Sequence, residues 1–147
     1  VNYWLCITND ENWEVIKRLK IWGIPDRKTN LTKKVKLGDI LVFYLKPKRL
    51  AGIFKVVSKS FESNKKIFTP AGVNQNEKFK HRFRVDPITV LNEPMSFIEL
   101  IEKLKFIKNR RYWGGHLMGK AMRLIPEEDY QTIRKAIIRN KTLQEED

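Results

Sequence analysis

Leu37-Gly38-Asp39-Ile40-Leu41-Val42-Phe43-Tyr44-Leu45-Lys46-Pro47-Lys48-Arg49-Leu50-Ala51-Gly52-Ile53-Phe54-Lys55-Val56-Val57 is the stretch on which the fold turns. Its apolar runs, Ile40 to Leu45 and Ala51 to Val57, are rich in β-branched and aromatic residues and too short for helices, so they read as strands. The charged Lys46–Arg49 between them reads as a hairpin loop, and Leu37-Gly38-Asp39 as the turn that opens the first strand. Toward the N-terminus, Tyr3 to Ile7 is another strand. Thr8-Asn9-Asp10-Glu11 then opens a helix, with Thr8 as cap and Glu11 three residues on. Trp13, Ile16 and Leu19 follow at helical spacing, and the helix is predicted to stop before Gly23 and Pro25, which leaves Trp22 in a loop.

Toward the C-terminus, Glu62 to Lys78 carries no periodicity, and Pro70-Ala71-Gly72 marks a loop. Phe79 to Leu91 reads as one long strand bent at Pro87. Pro94, Ser96 and Glu99 open a second helix bearing Phe97, Leu100, Ile101 and Leu104. The glycine-rich Tyr112–Gly119 leads to a short strand, Ala121 to Leu124. Pro126-Glu127-Glu128-Asp129 starts a last helix with Tyr130, Ile133, Ile137 and Ile138 on its apolar side. Five or six strands with helices between and after them predict a small α+β domain on a curled sheet or barrel. A single domain spans 1–143, and 144–147 is a short acidic tail that frays.

A chain of 147 residues, 41% hydrophobic and 32% charged, has the size for one core and too little for two. No apolar run approaches the roughly 18 residues of a membrane span, and the first thirty residues resemble neither a signal nor a transit peptide. One cysteine, Cys6, permits no internal disulfide and no cysteine-built zinc site. These features point to a cytoplasmic protein with no membrane partner. The net charge of +13 is unevenly spread. Residues 27–84 hold sixteen bases against three acids, and 103–126 hold seven bases and no acid. Such blocks read as an electrostatic footprint for phosphates, or as a solvated lysine-rich surface.

Enzyme signatures are missing. His81 and His116 stand far apart without a ligand spacing, Cys6 sits in an apolar strand, and there is no GxSxG, P-loop or GxGxxG. The acids Glu99, Glu102, Glu127, Glu128 and Asp129 fall at helix starts or on polar faces, where capping explains them. The expectation is a chain that is not an enzyme and needs no metal or cofactor. Trp22 and Trp113, beside glycines in a basic protein, are either stacking walls for bases or hydrophobic plugs under their loops.

Tyr3-Trp4-Leu5, Trp22-Gly23-Ile24-Pro25, Leu37 to Tyr44, Gly52-Ile53-Phe54-Lys55-Val56, Trp113-Gly114-Gly115 and Met122 to Tyr130 stand in the order in which the EVE domain carries similar blocks. The chain resembles that family over nearly its whole length. The resemblance implies a PUA-like β-barrel with flanking helices, related to the YTH domain that reads N6-methyladenine, and a nucleic-acid-binding role in which a modified base is recognised. Thr8 to Asn12 resembles the stretch after the first YTH strand, which makes Asn9 and Asn12 the residues that hydrogen-bond the base edge. Trp22 matches the first cage tryptophan, and Gly23 follows as the next contact does. Where the second cage tryptophan stands, this chain has Ile67 or Phe68, a departure that leaves the modification open; Phe79 is a third wall.

The expected mechanism is a flipped base on Trp22, read by Asn9 and Asn12, with the DNA or RNA backbone held by cations. Those cations are Arg27, Lys28, Lys46, Lys48, Arg49, Lys80, Arg82, Arg110, Arg111 and Arg123, with Trp113 and His116 as further loop candidates. Two alternatives stay open: a protein-interaction adaptor, and a nucleic-acid-processing enzyme using Glu128 or Asp129.

Overall fold

A computed structural model describes residues 1–70, 76–117 and 120–146; Ala71 and Gly72 of the expected loop, Gly119 and the final Asp147 lie outside them. Seven strands form the sheet: β1 (Tyr3–Thr8), β2 (Ile21–Ile24), β3 (Ile40–Leu45), β4 (Arg49–Val56), β5 (Phe61–Glu62), β6 (His81–Ser96) and β7 (Met122–Ile125). Their order is β2-β6-β4-β3-β1-β7, with β5 alongside β6. β1 runs parallel to β3, and every other pairing is antiparallel. The sheet curls into a half-barrel with a few flanking helices, chiefly α1 (Asp10–Leu19), the one-turn α2 (Leu31–Lys34) and α3 (Glu127–Glu146).

Continuous apolar runs in β1, β3 and β4 follow from burial on both faces. Leu5, Val42, Tyr44 and Ile53 point into a cluster closed by Tyr130, Ile133 and Ile137 of α3. Their neighbours Trp4, Cys6, Leu41, Phe43 and Phe54 point into the barrel, where Trp13 and Ile16 of α1 and Trp22 of β2 meet them. The turn before β3 is anchored by buried Asp39, which accepts from Asn2 N (3.0 Å), Trp4 Nε1 (3.0 Å) and Lys36 N (2.9 Å).

Several expectations are corrected. The cap of α1 is Asn9, whose side chain accepts from Asn12 N at 2.8 Å, while Thr8 closes β1. The helix ends at Lys20 in the left-handed region (φ 57°), with no loop after it: the chain turns directly into β2, which pairs with β6. The expected bend at Pro87 is present as a register shift, since Ile53 faces Thr89 while Phe54 faces Pro87. β6 runs on through Pro94 to Ser96, so the expected second helix shrinks to a 3₁₀ turn, Ile98–Lys103. Ile138 is exposed rather than part of the apolar face. The expected fraying tail continues α3 to Glu146. Gln144 docks it on β6 by accepting from Asn92 N (2.9 Å) and Glu93 N (3.2 Å) and donating to Glu93 O (2.8 Å).

Candidate nucleic-acid interface

Trp22 Nε1 lies 3.4 Å from Met122 Sδ, so β2 and β7, the two outer strands of the sheet order, approach each other across the barrel. Beside this approach opens a narrow cavity of about 80 Å³. Its walls are the end of β1, the start of α1, the end of β2 and the returning segment around Phe68 and Phe79. Gly23 permits that return: a Cβ there would lie 2.7 Å from Phe68 Cε2 and 3.0 Å from Phe79 Cβ. Phe68 and Phe79 meet edge to face at 5.5 Å.

Six of the seven expected pocket residues, Asn9, Asn12, Trp22, Gly23, Phe68 and Phe79, line this cavity; Ile67 does not, and is partly buried against the barrel cluster. Their roles differ from the expectation. Trp22 is only 4% exposed and packs edge-on against Phe43 at 5.4 Å, so it is a floor that offers little open face. Asn12 is spent on the fold: Nδ2 donates to Thr69 O (3.0 Å) while Oδ1 accepts from Thr69 N (2.7 Å), which pins the returning segment to α1. Asn9 uses Oδ1 as the helix cap, which leaves its NH₂ as the donating end.

Two shallower clefts adjoin the cavity. One, containing Trp113, Tyr44 and Lys48, shares Ile7, Arg27, Lys46 and Lys120 with it; the other, beside Lys28 and Met122, shares Arg27, Lys120 and Ala121. Together they make one groove whose cations are Arg27, Lys28, Lys46, Lys48 and Lys120. Tyr44 Oη accepts from Lys48 N at 2.9 Å and sets the hairpin that carries Lys46 and Lys48, and burial pushes this phenol's pKa up. Trp113 stands at the groove while its ring leans on Phe97 at 5.5 Å, so it is both plug and wall.

The other expected cations lie elsewhere. Arg82 is 1% exposed, and its guanidinium donates to the carbonyls of Phe79 (3.0 Å), Lys78 (3.1 Å) and Lys65. It ties the returning segment to β6 and is not offered to phosphate. Burial lowers its pKa, partly offset by Asp26. Arg49 is gripped by Asp10, Nη1 to Oδ1 at 2.9 Å and Nη2 to Oδ2 at 3.1 Å. Lys80 lines none of the three clefts; its backbone N donates to Asp26. Arg110 donates to Glu102 O, Arg111 lies over Tyr112, and Arg123 sits over Phe106 at 4.5 Å in a separate groove. His116 Nε2 accepts from Asn109 N (3.3 Å) within its own turn. The acids offered for catalysis are engaged: Asp129 is buried and accepts from Lys105 N and Phe106 N, each at 2.8 Å, and Glu128 pairs with Lys105 Nζ at 2.7 Å. Sequence reasoning missed Glu77 and Lys120, which arrive from segments without periodicity, and Ala121, which opens the expected last strand without a sign that it lines the cavity.

The curled sheet is found in other solved structures. The Mmi1 YTH domain in complex with RNA superposes with a TM-score of 0.64 at 12% identity, over 97% of this chain and 81% of that one. A protein from Pseudomonas putida gives 0.62 at 14% identity, over 90% and 97%. These likenesses establish the expected PUA-like, YTH-like fold. In sequence, a UPF0310 protein of Pyrococcus abyssi is 45% identical over 149 residues, covering 93% of this chain and 100% of that one. Another, from Pyrococcus horikoshii, is 40% identical over 94% and 100%. The EVE domain model matches residues 2–136, and the chain belongs to the EVE domain family.

Proposed function

We propose that this protein binds nucleic acid, taking one base into the cavity floored by Trp22 while the groove cations hold the flanking phosphates. The observation that carries the reading is the groove itself. An aromatic cavity opens into clefts bearing Arg27, Lys28, Lys46, Lys48 and Lys120, and the four lysines have no ion-pair partner among the described residues. Phosphate contacts fix position and aromatic contacts accept the base, a division that suits a strand with one nucleotide turned out. Solved YTH domains of the same fold are bound to RNA, which supports a nucleic-acid partner here. The finer reading is that the base is modified, recognised by the fit of its extra group against Phe68 and Phe79. The site is a binding site, and turnover is not part of the proposal.

Fluorescence polarisation with single-stranded DNA and RNA tests this, each strand plain or carrying 5-methylcytosine, 5-hydroxymethylcytosine or N6-methyladenine. Trp22 also belongs to the core, so Trp22→Phe is the informative variant; truncation to Ala would cost about 3–5 kcal/mol of stability and confuse the result. A preference for one modified strand, weakened in Trp22→Phe, supports a base reader. Equal binding of all strands, with no effect of Trp22→Phe, removes the pocket and leaves a basic surface.

A further inference from the structure

One wall of the cavity is out of keeping with its basic rim. Glu77 is 5% exposed, lines the cavity, and its Oε1 accepts no hydrogen bond among the described residues. Arg27 Nη1 lies 3.6 Å away, an ion pair beyond hydrogen-bond distance, on a side chain that is itself mostly exposed. A carboxylate oxygen taken out of water without a donor is costly, and buried acceptors are nearly always satisfied. The same group repels any phosphate that would enter, so the cavity is reserved for a neutral group and the anions stay on the rim.

We infer that Glu77 selects the base, by requiring an exocyclic amino group on the edge that enters the cavity. This rests on the base-binding reading above. An ionised carboxylate is an acceptor only, so Oε1 takes an N–H. Arg27, a donor only, stands beside it and meets a neighbouring acceptor on the same edge. Cytosine (N4–H₂ beside N3) and adenine (N6–H₂ beside N1) present that order of donor and acceptor. Uracil and hypoxanthine present the reverse: a carbonyl oxygen faces Oε1 and a ring N–H faces the guanidinium. Both contacts then fail together, leaving a buried acceptor unpaired and two lone pairs opposed. Sites built to bond a donor discriminate far more sharply than sites that measure a methyl group by fit. Single methylation of the amine keeps one N–H and is compatible with the site; dimethylation removes both and is not.

The test uses single-stranded RNA nonamers of cytidine, uridine, adenosine, inosine and abasic ribose phosphate, with the wild type, Glu77→Gln and Glu77→Asp, each checked for folding by thermal unfolding. The wild type is expected to bind cytidine over uridine, and adenosine over inosine, by about tenfold or more. Glu77→Gln, whose amide can also donate, is expected to bring both ratios within about threefold, chiefly by improving the oxo strands. Glu77→Asp withdraws the oxygen by one methylene and narrows the ratios by weakening the amino strands. Equal binding of amino and oxo strands by the wild type, with the abasic strand much weaker, overturns this inference and leaves the base pocket standing. An abasic strand that binds as well as the rest overturns the pocket and the inference together. Amino ratios that persist in folded Glu77→Gln place the selection elsewhere and overturn the role of Glu77. The wild-type ratios decide the amino preference even if both variants unfold.

Discussion

Gly23 sits where β2 passes beneath the Phe68 ring, and the space its missing side chain leaves is already occupied. Gly23→Ala forces the ring and Phe79 away from β2. Because a ring edge gives way more readily than backbone, the stability cost is expected to be about 1–2 kcal/mol. Binding of a single-stranded oligonucleotide should fall by more than that loss accounts for, as parallel unfolding and polarisation titrations would show. Asn12→Ala removes both bonds that hold Thr69, with an expected loss of about 1–3 kcal/mol and faster amide exchange at Thr69 while α1 remains protected. Asp26 fastens the other end of the same segment, accepting from Lys78 N (2.9 Å) and Lys80 N (3.1 Å). Desolvation pushes its carboxyl pKa upward, but these bonds and the charges of Lys80 and His81 outweigh that and hold it below the ordinary 3.8. A depressed folded pKa contributes stability above the unfolded value, and the contribution is lost as pH falls through the lowered one. The amide resonances of Lys78 and Lys80 should therefore shift on acidification below pH 3.8, ahead of those in β3.

At the scale of elements, β4 passes β6 and α1 with no room to spare. A Cβ on Gly52 would lie 2.8 Å from Thr89 O and 3.2 Å from the Trp13 ring. The oxygen belongs to a strand held in the sheet and cannot retreat as a side chain can. Gly52→Ala is accordingly expected to cost about 3 kcal/mol or more, the larger loss of the two glycine substitutions, read from denaturant midpoints. The elements that were legible in sequence are those whose local pattern agrees with their environment: β1, β3 and β4 as apolar runs buried on both faces, and α1 and α3 as amphipathic repeats. β2 was not legible. Four residues containing a glycine make no strand pattern, and only pairing with Phe83 and Arg82 turns them into one. The same override shortened the helix after Ser96, because β6 extends to pair Met95 with Leu50 and Ser96 with Arg49. In the groove, Asn9, Trp22 and Phe68 could be marked by their neighbours in sequence and by resemblance. Glu77 and Lys120 reach the cavity from aperiodic segments through contacts far apart along the chain, and no local signal carries that information. Arg82 failed in the opposite sense, since a charged residue in a strand gives no sign in sequence that three carbonyls await it.

For the molecule as a whole, a net charge of +13 makes any nucleic-acid binding a salt-dependent equilibrium. If the four groove lysines each meet a phosphate on a single strand, log K should fall with log salt at a slope of about −2.8, and Lys46→Ala or Lys120→Ala should each flatten it by about 0.7. Titrations at several salt concentrations would measure both; an unchanged slope in the two variants would move the phosphate path off the groove. A different property of the whole follows from where β7 comes in the chain. β1 takes β3 on one edge, and among the described residues its other edge is covered by β7 together with Ala121, whose carbonyl accepts from Ile7 N at 2.8 Å. During synthesis that edge waits, bare, until Met122–Ile125 has left the ribosome, long after β1 and β3 are made, with its backbone groups free to pair with another chain. Translation that stops short of Met122 is therefore expected to yield a sticky, chaperone-dependent product rather than a smaller working domain.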